Sequence, residues 1–60
     1  MPLEDLLTVA QVARKLGVSR PVVYALCFSG RLPHVRVLNS IRVEPGALVS
    51  FVEGSKAQQH

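Results

Sequence analysis

The stretch from Thr8 to Gly30, which reads TVAQVARKLGVSRPVVYALCFSG, decides the fold. Thr8 with Gln11 three residues later is a capping-box pair, in which each side chain satisfies a backbone N–H of the other residue, and it predicts the start of a helix. The apolar residues that follow recur at the spacing of one helical face: Val9, Val12, Ala13 and Leu16. Gly17 accepts the left-handed backbone conformation that commonly ends a helix, so the first helix is predicted to stop there.

A second helix is predicted directly after that glycine. Ser19 is a favourable N-cap residue, and Pro21 falls in the first turn, where its missing N–H is harmless. Gly30 supplies the second stop, and the predicted core stripe of this helix is Val23, Leu26 and Cys27. The two helices are separated by a three-residue turn that contains glycine. This is the spacing of a helix-turn-helix unit, in which the helices cross steeply and the second one protrudes.

The next segment has a different pattern, because apolar and mostly β-branched residues alternate with polar ones, which predicts a two-stranded β-hairpin. Two registers are open. A two-residue turn at 39–40 places Val37 opposite Arg42, whereas a three-residue loop at 39–41 places Val37 opposite Val43. We favour the longer loop because it keeps one apolar face buried, made of Val35, Val37 and Val43.

A short third helix is predicted to begin with Pro45 at its first position and to stop at Gly54. Its apolar face consists of Ala47, Leu48, Phe51 and Val52. The chain is therefore predicted to form one domain over residues 6–53, mainly α with a two-stranded β-hairpin, in the order helix-turn-helix-wing-helix. We expect flexible termini at 1–5 and 54–60, and residues 55–60 have no apolar anchor.

Charge is distributed unevenly along the chain. Six of the seven lysines and arginines lie between residues 8 and 43, and all four acidic residues lie outside that stretch. The six cations are dispersed rather than run together, which is typical of a cationic surface on a folded domain and not of a basic tail. Nucleic acid is the polyanion that such a surface fits best.

Length and composition exclude several classes of function. With 60 residues and one cysteine, Cys27, the chain buries a small core, has no internal disulfide and fits a reducing cytoplasm. There is no glycine-rich phosphate loop and no carboxylate base within 8–43, and neither His34 nor His60 has a partner at metal-ligand spacing. We therefore expect no enzyme, cofactor or metal. No apolar run approaches a membrane span, and the acidic N-terminus is unlike a signal peptide.

The protruding face of the second helix is predicted to enter a DNA major groove. Arg20 is the side chain there that can distinguish guanine by two hydrogen bonds, and Tyr24 is expected to contact a phosphate through its hydroxyl. Val22, Ala25 or Phe28 can touch thymine methyl groups, although Phe28 is more simply expected to fold against the wing, with protein contact as the alternative. Specificity is then expected mainly from DNA shape and from arrays of copies.

Three segments, LLTVAQVARKLGVSRPVVYAL, SGRLPHVRV and IRVEPGALVSFV, together resemble the excisionase-type branch of the MerR-like winged helix-turn-helix proteins. Within that branch the chain is most similar to the small excisionases, or recombination directionality factors, of actinobacterial phages and integrative elements. The resemblance implies an architectural protein of the bacterial cytoplasm and nucleoid. Such a protein binds repeated sites on double-stranded DNA cooperatively, head to tail, bends the DNA and steers a tyrosine or serine integrase toward excision.

The resemblance also implies positions for the interface. The recognition helix would be residues 19–29, and the wing would be residues 34–43, with Arg36 and Arg42 near phosphates or the minor groove. The sequence departs from the family pattern at Ala25 and Phe28, where relatives commonly have arginine and another polar residue, and at Leu38, where glycine is usual. The complete set of expected DNA-binding residues is Arg14, Lys15, Arg20, Pro21, Val22, Tyr24, Ala25, Arg31, Arg36 and Arg42.

Two other functions remain open at the level of sequence. The first is a phage or plasmid transcriptional repressor of the same fold. The second is a protein-interaction adaptor that uses an apolar patch made of Val22, Ala25 and Phe28. We also expect that acidic flanks pair with the basic face of a neighbouring copy on DNA, through Glu4, Asp5, Glu44 and Glu53.

Overall fold

The computed structural model describes residues 5–57, so the ends of the predicted flexible termini, 1–4 and 58–60, lie outside the described residues. The elements run in the order β1 (Leu7–Thr8), α1 (Val9–Leu16), α2 (Arg20–Phe28), β2 (Val35–Val37), β3 (Ser40–Val43) and α3 (Pro45–Ala57). This order confirms the predicted winged helix-turn-helix architecture. It adds one short strand, β1, that the sequence did not predict.

The start of α1 is held by the predicted capping box. The Thr8 backbone N–H donates to Gln11 Oε1 at 2.9 Å, and the Gln11 backbone N–H donates to Thr8 Oγ1 at 3.1 Å. At the other end Gly17 has φ 72° and its N–H donates to the Ala13 carbonyl. Both predicted helix boundaries are therefore confirmed, because each rests on hydrogen bonds between near neighbours in sequence.

The α2 helix begins after Ser19, as predicted, but the Ser19 side chain makes no capping hydrogen bond. The backbone carbonyl of Ser19 instead accepts hydrogen bonds from the N–H groups of Val22 and Val23, at 3.2 and 3.3 Å. After the helix, Gly30 has φ 81° and the Leu26 carbonyl accepts from the N–H of Leu32 at 3.1 Å. This turn carries Leu32 into the centre of the core, a role that the sequence pattern did not indicate.

The three strands form one antiparallel sheet in the order β1-β3-β2. Leu7 pairs with Val43 and Thr8 with Arg42, so the strand that precedes α1 is fixed to the wing. The wing is therefore the outer part of a three-stranded sheet that begins at the first residues of the helix-turn-helix unit. A two-residue strand has no periodicity of its own, and only its pairing with a distant segment reveals it.

Both predicted hairpin registers are wrong. Val37 pairs with Ser40 and Arg36 with Ile41, which leaves a two-residue turn at Leu38 and Asn39. Leu38 has a positive φ of 56°, a conformation that favours glycine or asparagine at a hairpin turn. Because a leucine occupies the first position of the turn, the residue types do not indicate that the turn begins there.

The observed register also changes which residues are buried. On β3 the alternate residues Ile41 and Val43 face the core, at 8% and 0% exposure. Of the expected buried face, Val43 is confirmed, whereas Val35 and Val37 are wrong: they pair with Arg42 and Ser40 on the outer side of the sheet and are exposed. Alternation along β3 accounts for the burial of both Ile41 and Val43, and the pairing of Val37 with Ser40 defines the register.

The core lies between α1, α2, β3 and α3. Its buried members are Val9, Val12, Ala13, Val23, Cys27, Leu32, Ile41, Val43 and Leu48. Full burial of one aliphatic side chain of this kind stabilises the fold by roughly 1.5–3 kcal/mol. Partly buried residues complete the layer: Leu7, Leu16, Leu26, Ala47 and Phe51.

The α3 helix passes through Gly54 and continues to Ala57, so the predicted stop at Gly54 is wrong. A glycine inside a helix costs only about 1 kcal/mol relative to alanine, which packing on one face readily offsets. Beyond it, Lys56 Nζ lies 3.6 Å from Glu53 Oε1 on an exposed face. None of the helices in the described part of the chain has the length and apolar character needed to cross a bilayer.

Candidate nucleic-acid interface

A cleft of about 230 Å³ lies between the two helices of the helix-turn-helix unit and the wing. It is lined by Thr8, Val9, Ala10, Arg20, Tyr24, Asn39, Ser40, Ile41 and Arg42. Three of the predicted DNA-binding residues therefore meet in one place: Arg20, Tyr24 and Arg42. None of the lining residues is acidic, so two guanidinium groups and a phenol contribute its ionisable chemistry.

The two α2 residues that line the cleft, Arg20 and Tyr24, lie in the first two turns of that helix. Arg20 is the first residue of the helix and is exposed, and Tyr24 follows four residues later, one turn along the same face. Tyr24 is 41% exposed, so its ring is partly packed while the side chain still reaches solvent. A cation and a hydroxyl thus point from one helical face toward the cleft.

Arg42 is placed by the sheet. It pairs with Thr8 on one side and Val35 on the other, which puts it on the outer face of β3 and not on the core face. Its Nη1 donates to the Ile41 carbonyl at 3.1 Å, so the half-buried guanidinium is oriented by the backbone of its own strand. A side chain that is held in position loses less conformational entropy when it binds an anion.

An exposed aromatic pair continues from the cleft along α2. The Tyr24 and Phe28 rings are stacked, with centroids 6.0 Å apart and an interplanar angle of 23°. Phe28 is 72% exposed, so the expectation that it folds against the wing is wrong. The cleft that α2 shares with the wing is lined by Arg20 and Tyr24 and does not extend to Phe28, one turn further along the helix. The remaining predicted residues of this face, Pro21, Val22 and Ala25, are exposed as well.

The structure does not bring the other predicted basic residues into the cleft. Arg36 pairs with Ile41, so its side chain leaves the sheet on the face opposite to Arg42. Arg31 lines a separate hollow of about 460 Å³ against α3, with Ser50, Phe51, Gly54 and Ser55. Arg14 and Lys15 are exposed in the last turn of α1. These four cations do not line the cleft.

Sequence reasoning missed Asn39 and Ser40 as cleft residues. They were assigned to a turn, and only the true register moves Ser40 into β3 and directs the tip of the wing toward α2. The apolar residues Ile41 and Val43 indicate which face of β3 is buried, but not where the turn before that strand lies. The sequence predicts Thr8 as the cap of α1 but does not indicate that Thr8, Val9 and Ala10 form a wall of the cleft.

Two other side chains that could be reactive, those of Cys27 and His34, support the fold instead. Cys27 is buried in the core, and this burial raises the pKa of its thiol. The Nδ1 of His34 donates to the Leu32 carbonyl at 3.1 Å, which ties the start of the wing to the end of the helix-turn-helix unit. Within residues 5–57 no three potential metal ligands lie close enough together to hold an ion.

Comparison with known proteins adds to this geometry. A sequence model described as a helix-turn-helix domain matches residues 6–56. Two curated proteins, from strains CDC 1551 and H37Rv of Mycobacterium tuberculosis and both named "Putative DNA-binding protein", are each 48% identical to this chain over 51 residues. The alignment covers 85% of this chain and 65% of theirs, so the chain spans slightly less than two thirds of their length. No solved structure matches the chain.

Proposed function

Because the chain belongs to the helix-turn-helix domain family, we propose that it binds double-stranded DNA, with α2 in the major groove and the wing beside it. The observation that carries this proposal is the convergence of Arg20, Tyr24 and Arg42 in one cleft without an acidic residue. The relatives named as DNA-binding proteins support the same partner.

Each cleft residue has a distinct role in this proposal. The first residues of a recognition helix reach base edges, so Arg20 is placed to donate two hydrogen bonds to a guanine. Tyr24, one turn further, donates through its hydroxyl to a phosphate. Arg42 neutralises a phosphate from the wing side. Arg14, Lys15, Arg31 and Arg36 add longer-range attraction, which weakens as salt is raised.

Within this function we propose an architectural role of the excisionase type. The outer face of α2 offers one base-reading cation beside an apolar surface made of Pro21, Val22, Ala25 and Phe28. Such a face reads little sequence directly, so specificity would come from DNA deformability and from several copies on repeated sites. The resemblance of the sequence to small excisionases supports the same role, in the cytoplasm of a bacterial host, with an integrase as partner.

Contacts between neighbouring copies are proposed to use charge. Glu44 directly follows β3 and is exposed, and Glu53 is exposed on α3, where it pairs with Lys56. Either carboxylate could face the cationic surface of the next copy and reduce the repulsion between two basic domains on adjacent sites. Asp5 is exposed too, and Glu4 lies outside the described residues.

A gel-shift series on DNA from the element's attachment site tests the architectural role. A ladder of complexes that fills cooperatively is expected for an array of copies, and an integrase-dependent excision assay should require the protein. A single complex and an excision yield that does not change when the protein is added would favour the repressor of the same fold. Partner-protein binding with no DNA affinity at low salt would favour the adaptor that uses Val22, Ala25 and Phe28.

A further inference from the structure

The tip of the wing has two features that the fold does not explain. Leu38 is the first residue of the two-residue turn, has φ 56° and is 91% exposed. A positive φ brings the Cβ of an L-residue close to its own backbone, which is why glycine and asparagine prefer this conformation. The leucine side chain contributes nothing to the core in return, since Leu38 belongs neither to the buried cluster nor to the residues packed on it.

The neighbours of Leu38 indicate what the tip meets. Asn39, Ser40 and Arg42 follow it along the chain and line the same cleft as Arg20. The tip is thus the outer end of a surface that begins with two guanidinium groups and continues through an amide and a hydroxyl. That continuity with a cationic cleft favours DNA over a lipid or an apolar protein surface as the occupant.

We propose that Leu38 is a wedge that enters a base step of DNA from the minor groove, while the Asn39 amide contacts the adjacent base edges. The inference rests on the proposed DNA binding. The minor groove is about 6 Å wide, which admits one side chain from a tight turn but no helix. Minor-groove proteins combine these two parts, an apolar side chain that unstacks a step and an amide or cation that reads the groove.

The chemistry of the tip predicts the preferred step. In the minor groove the adenine N3 and thymine O2 atoms accept hydrogen bonds, and the Asn39 side-chain amide can donate to them. Pyrimidine–purine steps such as TA are the easiest to unstack. Insertion there bends the duplex toward the major groove, the groove in which α2 is proposed to lie. Leu38 would then be the residue that produces a bend.

The test uses the full chain and a duplex selected by the protein from a random pool, with 2-aminopurine beside a TA step and a dye at each end. Unstacking raises 2-aminopurine fluorescence, and bending raises energy transfer between the dyes. We compare wild type with Leu38→Asn, which keeps the turn conformation and removes the wedge, and Leu38→Met, which keeps an apolar wedge. Val49→Asn is the matched control, because Val49 is an exposed apolar residue of α3 outside the cleft.

Wild type and the Leu38→Met and Val49→Asn variants are expected to raise 2-aminopurine fluorescence about threefold or more at the best position and to bend the duplex. Leu38→Asn should lose most of both signals while its affinity falls by less than about tenfold, because the cleft contacts remain. Leu38→Gly, which also suits a positive φ, should behave like Leu38→Asn and guards against a folding defect in one variant.

Leu38→Asn with wild-type fluorescence and bending would overturn the wedge and leave the proposed DNA binding intact. Loss of contacts between protomers in Leu38→Asn, with unchanged 2-aminopurine fluorescence, would overturn it as well and make the tip a protein contact. Failure of the wild-type protein to bind any duplex at low salt would overturn both proposals at once.

Discussion

Arg42 lies directly opposite Val35 in the antiparallel pair of β2 and β3, whereas Arg36 lies opposite Ile41. Residues that face each other across a ladder share one side of the sheet, so the two wing arginines project from opposite sides. Arg42 shares its side with the cleft, and Arg36 does not line the cleft. Two cations that look equivalent in the sequence are therefore expected to contribute unequally to DNA binding.

Replacement of these arginines one at a time tests that difference. Arg42→Ala should weaken binding to a selected duplex by about fivefold to tenfold, because one phosphate contact at short range is lost. Arg36→Ala removes the same charge from the other side of the sheet and should weaken binding by less than about threefold. Fluorescence anisotropy titrations at one fixed salt concentration give both values. Equal losses would mean that the sheet presents no preferred side to DNA.

The capping box at Thr8 should contribute measurably to stability. Thr8→Ala leaves the Gln11 N–H without its side-chain acceptor and should lower the free energy of unfolding by about 1 kcal/mol. In a domain of this size that corresponds to a fall in Tm of about 4–8 °C. Ser19→Ala is the matched control, because Ser19 occupies an N-cap position without a side-chain hydrogen bond and should change stability by only a few tenths of a kcal/mol. Equal falls in Tm for Thr8→Ala and Ser19→Ala, measured by thermal unfolding, would contradict a stabilising role of the capping box.

The turn at Leu38 should be a site where stability is easily gained. Asparagine tolerates the left-handed conformation, and an exposed leucine side chain loses little burial when it is replaced. Leu38→Asn should therefore raise the free energy of unfolding in urea by about 0.5–1 kcal/mol. A decrease would show that the leucine supports the fold. A gain in stability together with the loss of DNA bending would identify strain that is retained for function.

Cys27 should behave as a core residue rather than a reactive thiol. Burial raises the pKa of the Cys27 thiol, so the thiolate is disfavoured in the folded state and alkylation by iodoacetamide should be slow until urea unfolds the chain. Equal alkylation rates with and without urea would contradict that burial.

The raised pKa of Cys27 also affects stability at high pH. The unfolded thiol ionises near its ordinary pKa of 9.0, below the folded thiol, so the advantage of wild type over Cys27→Ala is full below that pH and shrinks above it. Urea titrations of both proteins between neutral and alkaline pH measure this difference. If the stability difference between wild type and Cys27→Ala instead grew as pH rises, the Cys27 thiol would not be buried in its neutral form.

The helix-turn-helix unit could be predicted from sequence because its signals are local. The Thr8–Gln11 capping box lies within one turn, and Gly17 and Gly30 occupy the left-handed positions at the two helix ends, with φ 72° and 81°. The sheet could not be predicted in the same way. The strand at Leu7 depends on pairing with Val43, far along the chain, and the hairpin turn is made by a leucine where turn chemistry favours glycine.

Of the candidate site, only the residues on α2 could be predicted from the sequence. Arg20 and Tyr24 follow from the period of α2, which fixes the exposed face once the core stripe is known. The approach of Asn39 and Ser40 to that face depends on the position of the hairpin turn. The observed turn at 38–39 places Ser40 in β3, whereas both predicted registers leave it in the turn.

The central claim is that DNA binds in the cleft formed by α2 and the wing, and the salt dependence of binding tests it most directly. If each copy neutralises about 3 to 5 phosphates, log K should fall with log salt with a slope of about −3 to −5. Arg20→Ala/Arg42→Ala should reduce that slope by about 1, for the phosphate that Arg42 contacts, and should also lower the affinity through the lost guanine contact of Arg20. Arg36→Ala/Lys56→Ala, which removes the same charge outside the cleft, should change the slope by less than about 0.5. Identical slopes and affinities for the two double variants, or a wild-type affinity that does not depend on salt, would contradict the claim.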